Sequence, residues 1–143
     1  MKSKKSIDRI EKMIILTGGY LHEVLDLSAY DIEPADSGGT IIDIGLGPRR
    51  RKVIVHDNEL PQKLWEESIV YINSQIFRDA VPNFDDTSLR AMFAKSRYAE
   101  YALNGNNDYV DNKSGKAYDS LALQLVARTM AISVDEVIYL LDQ

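Results

Sequence analysis

The sequence predicts an α+β fold: an N-terminal helix, a small antiparallel β-sheet and a long helix, followed by an all-helical C-terminal half. Three observations carry this. Residues 40–46 (TIIDIGL) alternate apolar and small or polar positions, and residues 52–56 (KVIVH) form a short β-branched run after the turn Gly47-Pro48-Arg49-Arg50, which reads as a hairpin. Leu64, Trp65, Ile69, Ile72, Ile76 and Phe77 recur at three- and four-residue spacing, the stripe of a helix with one buried face. From Asp86 onward the pattern is helical, with a single polar interruption over residues 106–118.

Composition bounds the function. The 143 residues are 45% hydrophobic and 27% charged, with a net charge of −5 and no cysteine. Disulfides, thiolate metal sites and cysteine nucleophiles are therefore excluded. A generally basic nucleic-acid coat is excluded too, although a small basic face on an acidic body is not. The lysine-rich start (Lys2, Lys4, Lys5, Arg9, Lys12) is followed by an apolar run of only Met13 to Leu16, too short for a secretory signal or a membrane span. The expectation is a soluble cytoplasmic protein with no membrane partner.

The elements follow in order. Residues 6–16 place Ile7, Ile10, Met13 and Ile14 on one helical face, with Ser6 as cap and Gly18-Gly19 as stop. Tyr20 to Ile32 fits helix or strand, and strand is expected because the next segments need a partner. Residues 34–39 (PADSGG) are a loop. The long helix is expected from about residue 60 to Asp79, capped by Asp57 or Asn58 and ended before Pro82. Then come short helices over 87–94 and 96–103, the second closed by Asn104-Gly105, and a helix from Asp119 to Met130 capped by Asp119. In the last helix Ser133 and Glu136 have capping-box spacing. The organisation is an α/β region over 1–81 and a helical region over 82–143.

Within the second region, Leu125, Val126, Ala127, Met130 and Ile132 lead into Ser133-Val134-Asp135-Glu136 and the apolar Val137 and Ile138. Upstream, Ser96-Arg97 opens a short helix and Asn104-Gly105 closes it. Residues 86–141 thus resemble phage-repressor-like (Cro/C1-type) helix-turn-helix domains. The resemblance implies a recognition helix in the DNA major groove, with Lys95, Ser96, Arg97, Tyr98 and Asn104 in contact and Lys113 and Lys116 on the backbone. It also implies a homodimer, since one short helix gives too little specific contact. Residues 85–143 hold six cations and nine acids, so a DNA-binding role requires those charges to be segregated.

Arg49, Arg50, Arg51 and Lys52 form the densest basic run, able to grip phosphate or an acidic partner; along an extended segment Arg49 and Arg51 face one way and Arg50 and Lys52 the other. His22 and His56 lack a nucleophile in matching context and make no zinc set. The glycine pairs and Ser114-Gly115-Lys116 lack the spacing of a phosphate loop. Asp108, Asp111 and Asn112 miss the calcium-loop pattern. No enzyme, metal or cofactor is expected. Tyr98, Tyr101, Tyr109 and Tyr118 gather around the helix and loop of interest, and tyrosines with apolar bodies and polar tips suit binding surfaces.

Two functions follow as expectations. The first is a small DNA-binding regulator of a bacterial phage or mobile element. The alternative is a phage-encoded protein inhibitor, of anti-CRISPR or anti-restriction type, that binds a host nucleic-acid enzyme through an acidic, tyrosine-rich surface.

Overall fold

The computed structural model describes residues 4–36, 38–56, 58–71, 75–77, 83–103 and 105–143. The fold is α+β, as expected. Helix α1 (Lys4–Thr17) buries Ile10, Met13 and Ile14. It begins ahead of Ser6, which lies within the helix and is not its cap. The stop is at Gly18, whose φ of +71° suits glycine and whose missing Cβ leaves room for the Phe93 ring.

Residues 20–32 depart from the strand expectation. They form helix α2 (Leu21–Leu25) and a 3-10 turn (Ala29–Asp31), and only Ile32 enters strand β1 (Ile32–Pro34). The cause is non-local. A Glu23 carboxylate oxygen accepts the Tyr20 N–H at 2.9 Å, and Asp86, 65 positions on, accepts the Leu21 N–H at 2.6 Å. Two orphan donors of a one-turn helix are thereby satisfied.

Strands β2 (Thr40–Ile44) and β3 (Arg51–Val55) pair antiparallel, with Ile42 opposite Val53, and β1 pairs with the other side of β2. Ile42, Ile44, Val53 and Val55 point inward, as the alternation predicts. Helix α3 (Leu60–Ser68) starts where expected, with Asn58 accepting the Leu60 N–H, but gives way to a 3-10 turn (Ile69–Tyr71) instead of running to residue 79. Ile69 and Val70 are β-branched and weaken the helix there. By Gln75 the chain is extended, bridging to Ser28, and the Ile76 N–H donates to Leu27.

Residues 87–101 form one continuous helix, α4 (Thr87–Tyr101), where two short ones were expected. The segment holds neither glycine nor proline, and Ala91, Ala94, Tyr98 and Tyr101 keep one face toward the core. The interruption after it carries a small hairpin of β4 (Tyr109–Val110) and β5 (Ala117–Tyr118). Helix α5 (Ser120–Met130) is capped by Asp119, which accepts the Ala122 N–H. Helix α6 (Val134–Leu141) is capped by Ser133, which accepts the Glu136 N–H. Between them Ala131 takes the left-handed conformation at φ 56°, ψ 46°. One contiguous core, from Ile10 and Ile42 to Phe93, Leu123 and Val137, joins the residues before and after position 81. Among the described residues no helix is long and apolar enough to cross a membrane.

Candidate functional site

The expected DNA-contact residues do not share one surface. Lys95 donates to the main-chain oxygen of Gln143. Arg97 lies mid-helix in α4, not at a helix start, and turns the other way. Its Nη2 donates to the Ile54 carbonyl of edge strand β3 at 2.7 Å, and its guanidinium sits 5.0 Å over the Phe93 ring. Ser96 lines a 320 Å³ groove beside Arg97, His56 and Met92. The Tyr98 hydroxyl is an internal acceptor, taking the Asp119 N–H at 2.9 Å. Lys116 is paired with Asp142, whose carboxylate raises the lysine's pKa. Lys113 borders a cleft described below. Asn104 lies outside the described residues, as does Asp57, the other expected cap for α3.

The basic run is likewise drawn inward. Arg51, at the start of β3, and Arg49, in a 3-10 turn (Gly47–Arg49) and not in the extended segment expected, both reach Glu23, and Arg49 also donates to the Ala131 carbonyl at 2.6 Å. Arg50, on the opposite side, pairs with Asp31 at 3.3 Å and Asp43 at 3.1 Å. Lys52 is exposed opposite Asp43. A continuous basic tip, the feature that a phosphate grip requires, is therefore not formed: Arg49 and Arg51 instead bind the first half of the chain to the end of α5.

The surface feature with convergent chemistry is a cleft of about 290 Å³ between the β4–β5 hairpin and α6. The hairpin contributes Asp111, Lys113, Ser114 and Tyr118. Helix α6 and its last turn contribute Asp135, Ile138, Tyr139 and Asp142, whose spacing of three, four and seven residues stacks them on one helical face. The floor is apolar: Ile138 and Tyr118 are buried. The rim is polar, with Asp135, Tyr139 and Asp142 exposed. Three carboxylates against one amine give the lining a negative balance.

Its geometry is held locally. Asp111 Oδ2 accepts the Ser114 hydroxyl at 2.7 Å and the Ser114 N–H at 3.2 Å. The hydroxyl bond is the main reason the Asp111 carboxyl is held below the usual range. Tyr118 packs edge-on against Tyr98, with ring centroids 6.1 Å apart at 85°. Burial pushes the Tyr118 phenol up, Lys116 opposes this, and Asp142 and Asp111 add to it. Its hydroxyl makes no hydrogen bond with any described residue.

Neither a protein-family model, nor a curated protein, nor a solved structure matches this chain.

Tyr118 belongs to the tyrosine cluster visible in the sequence, whereas Asp111 stands out there only in a loop that misses the calcium pattern. Asp135, Ile138, Tyr139 and Asp142 were missed. Their helical spacing was visible, but which face of α6 meets the hairpin depends on packing far from either element.

Proposed function

We propose that this chain is a non-catalytic binding protein that docks its acidic, tyrosine-bearing C-terminal face on the cationic nucleic-acid-binding surface of an enzyme and inhibits it. The observation that carries this reading is the disposition of charge. In residues 85–143, Arg90, Lys95 and Arg97 are committed to partners within the chain and Lys116 is paired with Asp142, while Asp135 stands exposed at the cleft rim beside Tyr139. A DNA reader draws its affinity from amines and guanidinia free to neutralise phosphates, and most of those expected for that role are engaged. An acidic face with aromatic anchors suits a basic protein surface, where complementary potential steers association and excludes other partners.

The test is a displacement assay. The chain is added to complexes of labelled duplex DNA with purified nucleic-acid enzymes, and labelled duplex with the chain alone serves as the second arm. The expected result is displacement from a target enzyme that weakens with salt and with the pair Asp135→Asn and Asp142→Asn, with no shift of duplex by the chain alone. Salt-sensitive binding of duplex by the chain itself, weakened by Arg97→Ala or Lys113→Ala, would overturn the reading and restore a gene regulator.

A further inference from the structure

We infer that Arg90, Arg49 and Tyr20 form an anion-binding site, and that its ligand is a phosphate group, free or carried on a small molecule. The site shares no residue with the C-terminal cleft, takes the opposite charge and does not depend on the docking reading.

Two independent features point to such a ligand. The first is Arg90, which is only 6% exposed yet incompletely satisfied. Its Nε donates to the Gly18 carbonyl at 3.3 Å, while Nη2 is buried and has no hydrogen-bond partner among the described residues. Arg90 forms no ion pair with any described residue either. Asp86, one turn earlier at the start of α4, is turned to the Leu21 N–H instead. Buried guanidinia are ordinarily paired and hydrogen-bonded, because an uncompensated charge taken out of water is costly. What faces Arg90 within the chain is the Tyr20 ring, its centroid 3.6 Å from the guanidinium carbon.

The second feature is the balance of charge around that ring. A second guanidinium, that of Arg49, stands 4.7 Å from the same centroid, and the His22 ring stacks on Tyr20 with centroids 5.4 Å apart. Arg49 in turn shares Glu23 with Arg51. Both Glu23 oxygens already accept from these two arginines, and one also takes the Tyr20 N–H, so Glu23 has no capacity left for Arg90. Three guanidinia thus gather on one carboxylate, a surplus of two positive charges in a chain whose net charge is −5. A phosphate monoester, close to dianionic at neutral pH, matches that surplus. A single carboxylate cancels only half of it. The planar forks of two guanidinia also suit the several oxygens of one phosphate.

Solvent reaches the cluster from the Arg49 side. The Arg49 side chain is 32% exposed and His22 is exposed, whereas Arg90 is buried against the half-buried Tyr20. The Tyr20 ring is therefore the cover. A phosphate first meets Arg49 and reaches the Arg90 Nη2 as the ring swings aside, exchanging a cation–π contact for a charge-assisted pair.

The experiment is a titration of the isotope-labelled full chain with inorganic phosphate and with phenyl phosphate, followed by NMR, with sodium chloride at matched ionic strength as the control. Expected are saturable shifts of Tyr20, His22 and the Arg90 Nε–H signal with both phosphates and not with chloride. Tighter binding of phenyl phosphate marks a ligand that carries its phosphate on a larger group, and the reverse order marks free phosphate. Arg90→Met should weaken binding at least about tenfold, the effect of one lost charge-assisted contact. Without phosphate its denaturation midpoint should stay level or rise, because the substitution removes a buried charge that the chain does not pair. Arg90→Lys keeps the charge but loses the fork and should weaken binding several-fold; it decides the matter if the methionine variant does not fold. Shifts reproduced by chloride, or phosphate shifts scattered over surface lysines and indifferent to both Arg90 variants, would overturn the inference. So would a phosphate-free midpoint that falls in Arg90→Met with phosphate binding unchanged, since Arg90 would then be structural only.

Discussion

Arg51 grips Glu23 with both prongs of its guanidinium, Nη1 lying 2.8 Å from Oε2 and Nη2 3.0 Å from Oε1, and the carboxylate side chain is 1% exposed. Arg49 adds a second guanidinium, its Nε 3.2 Å from Oε2, and carries the network on to the Ala131 carbonyl. Helix α2, the β2–β3 turn and the end of α5 thus meet at one buried carboxylate. Taking these charges out of water is costly, and only the density of hydrogen bonds offsets it.

Removing the carboxylate charge therefore strands two guanidinia. Glu23→Gln is expected to lower stability by ~3–5 kcal/mol, the usual cost of breaking a buried pair by deleting one partner. Urea denaturation of the variant checks this, and a loss under about 1 kcal/mol would mean that the network contributes little beyond a surface pair.

The same pair predicts an acid limb. Burial by itself would push the Glu23 carboxyl up, but hydrogen bonds from Arg51 and the Tyr20 N–H, with the charge of Arg51 and the bond from Arg49, hold it down at about 2, against an ordinary 4.5. The folded value lies below the unfolded one, so the associated stability, about 3 kcal/mol, is present above pH 4.5 and is lost as pH falls toward 2. The stability difference between the natural chain and Glu23→Gln should shrink across that window. Parallel curves from pH 7 to 2 would refute the assignment.

Gly18→Ala should destabilise on two grounds. The φ of +71° is unfavourable for alanine, and the new Cβ would lie 2.5 Å from the Phe93 ring. Left-handed backbone and overpacking together cost on the order of 2–4 kcal/mol. A thermal midpoint unchanged by the substitution would show that α1 and α4 can part without penalty.

Ala131→Gly is expected to act in the opposite direction. Alanine holds the left-handed C-terminal position of α5 at φ 56°, where glycine avoids the Cβ strain. After allowing for the extra freedom of glycine in the unfolded chain, the gain is roughly 0.5–1 kcal/mol. Chemical denaturation reads it directly, and a loss of stability would indicate that the alanine methyl packs more than it strains.

Arg97→Ala should cost about 1–2 kcal/mol through the lost Ile54 hydrogen bond and the Phe93 contact. It also uncaps a carbonyl of an edge strand, so the variant should self-associate more readily at high concentration. Light scattering and urea midpoints that match those of the natural chain would show that Arg97 is not structural and would free it for a surface role.

Several features of this protein were determined by sequence alone because they depend on residues a few positions apart. The inward faces of β2 and β3 follow from period-two alternation. The caps at Asp119 and Ser133 follow from side chains reaching three residues ahead. The stop after α1 follows from Gly18. Tertiary structure decided the rest. Tyr20 to Leu25 is helical because Asp86 caps it from a distance and Glu23 finds two arginines. Residues 87–101 stay one helix because a single face packs along the whole core. The destination of each cation could not be read from spacing, since a guanidinium on a flexible three-carbon tether is placed by whichever carboxylate or carbonyl folding brings within reach. For Arg49, Arg51 and Arg97 those partners stand 26 to 82 positions away, and only the assembled core sets them side by side.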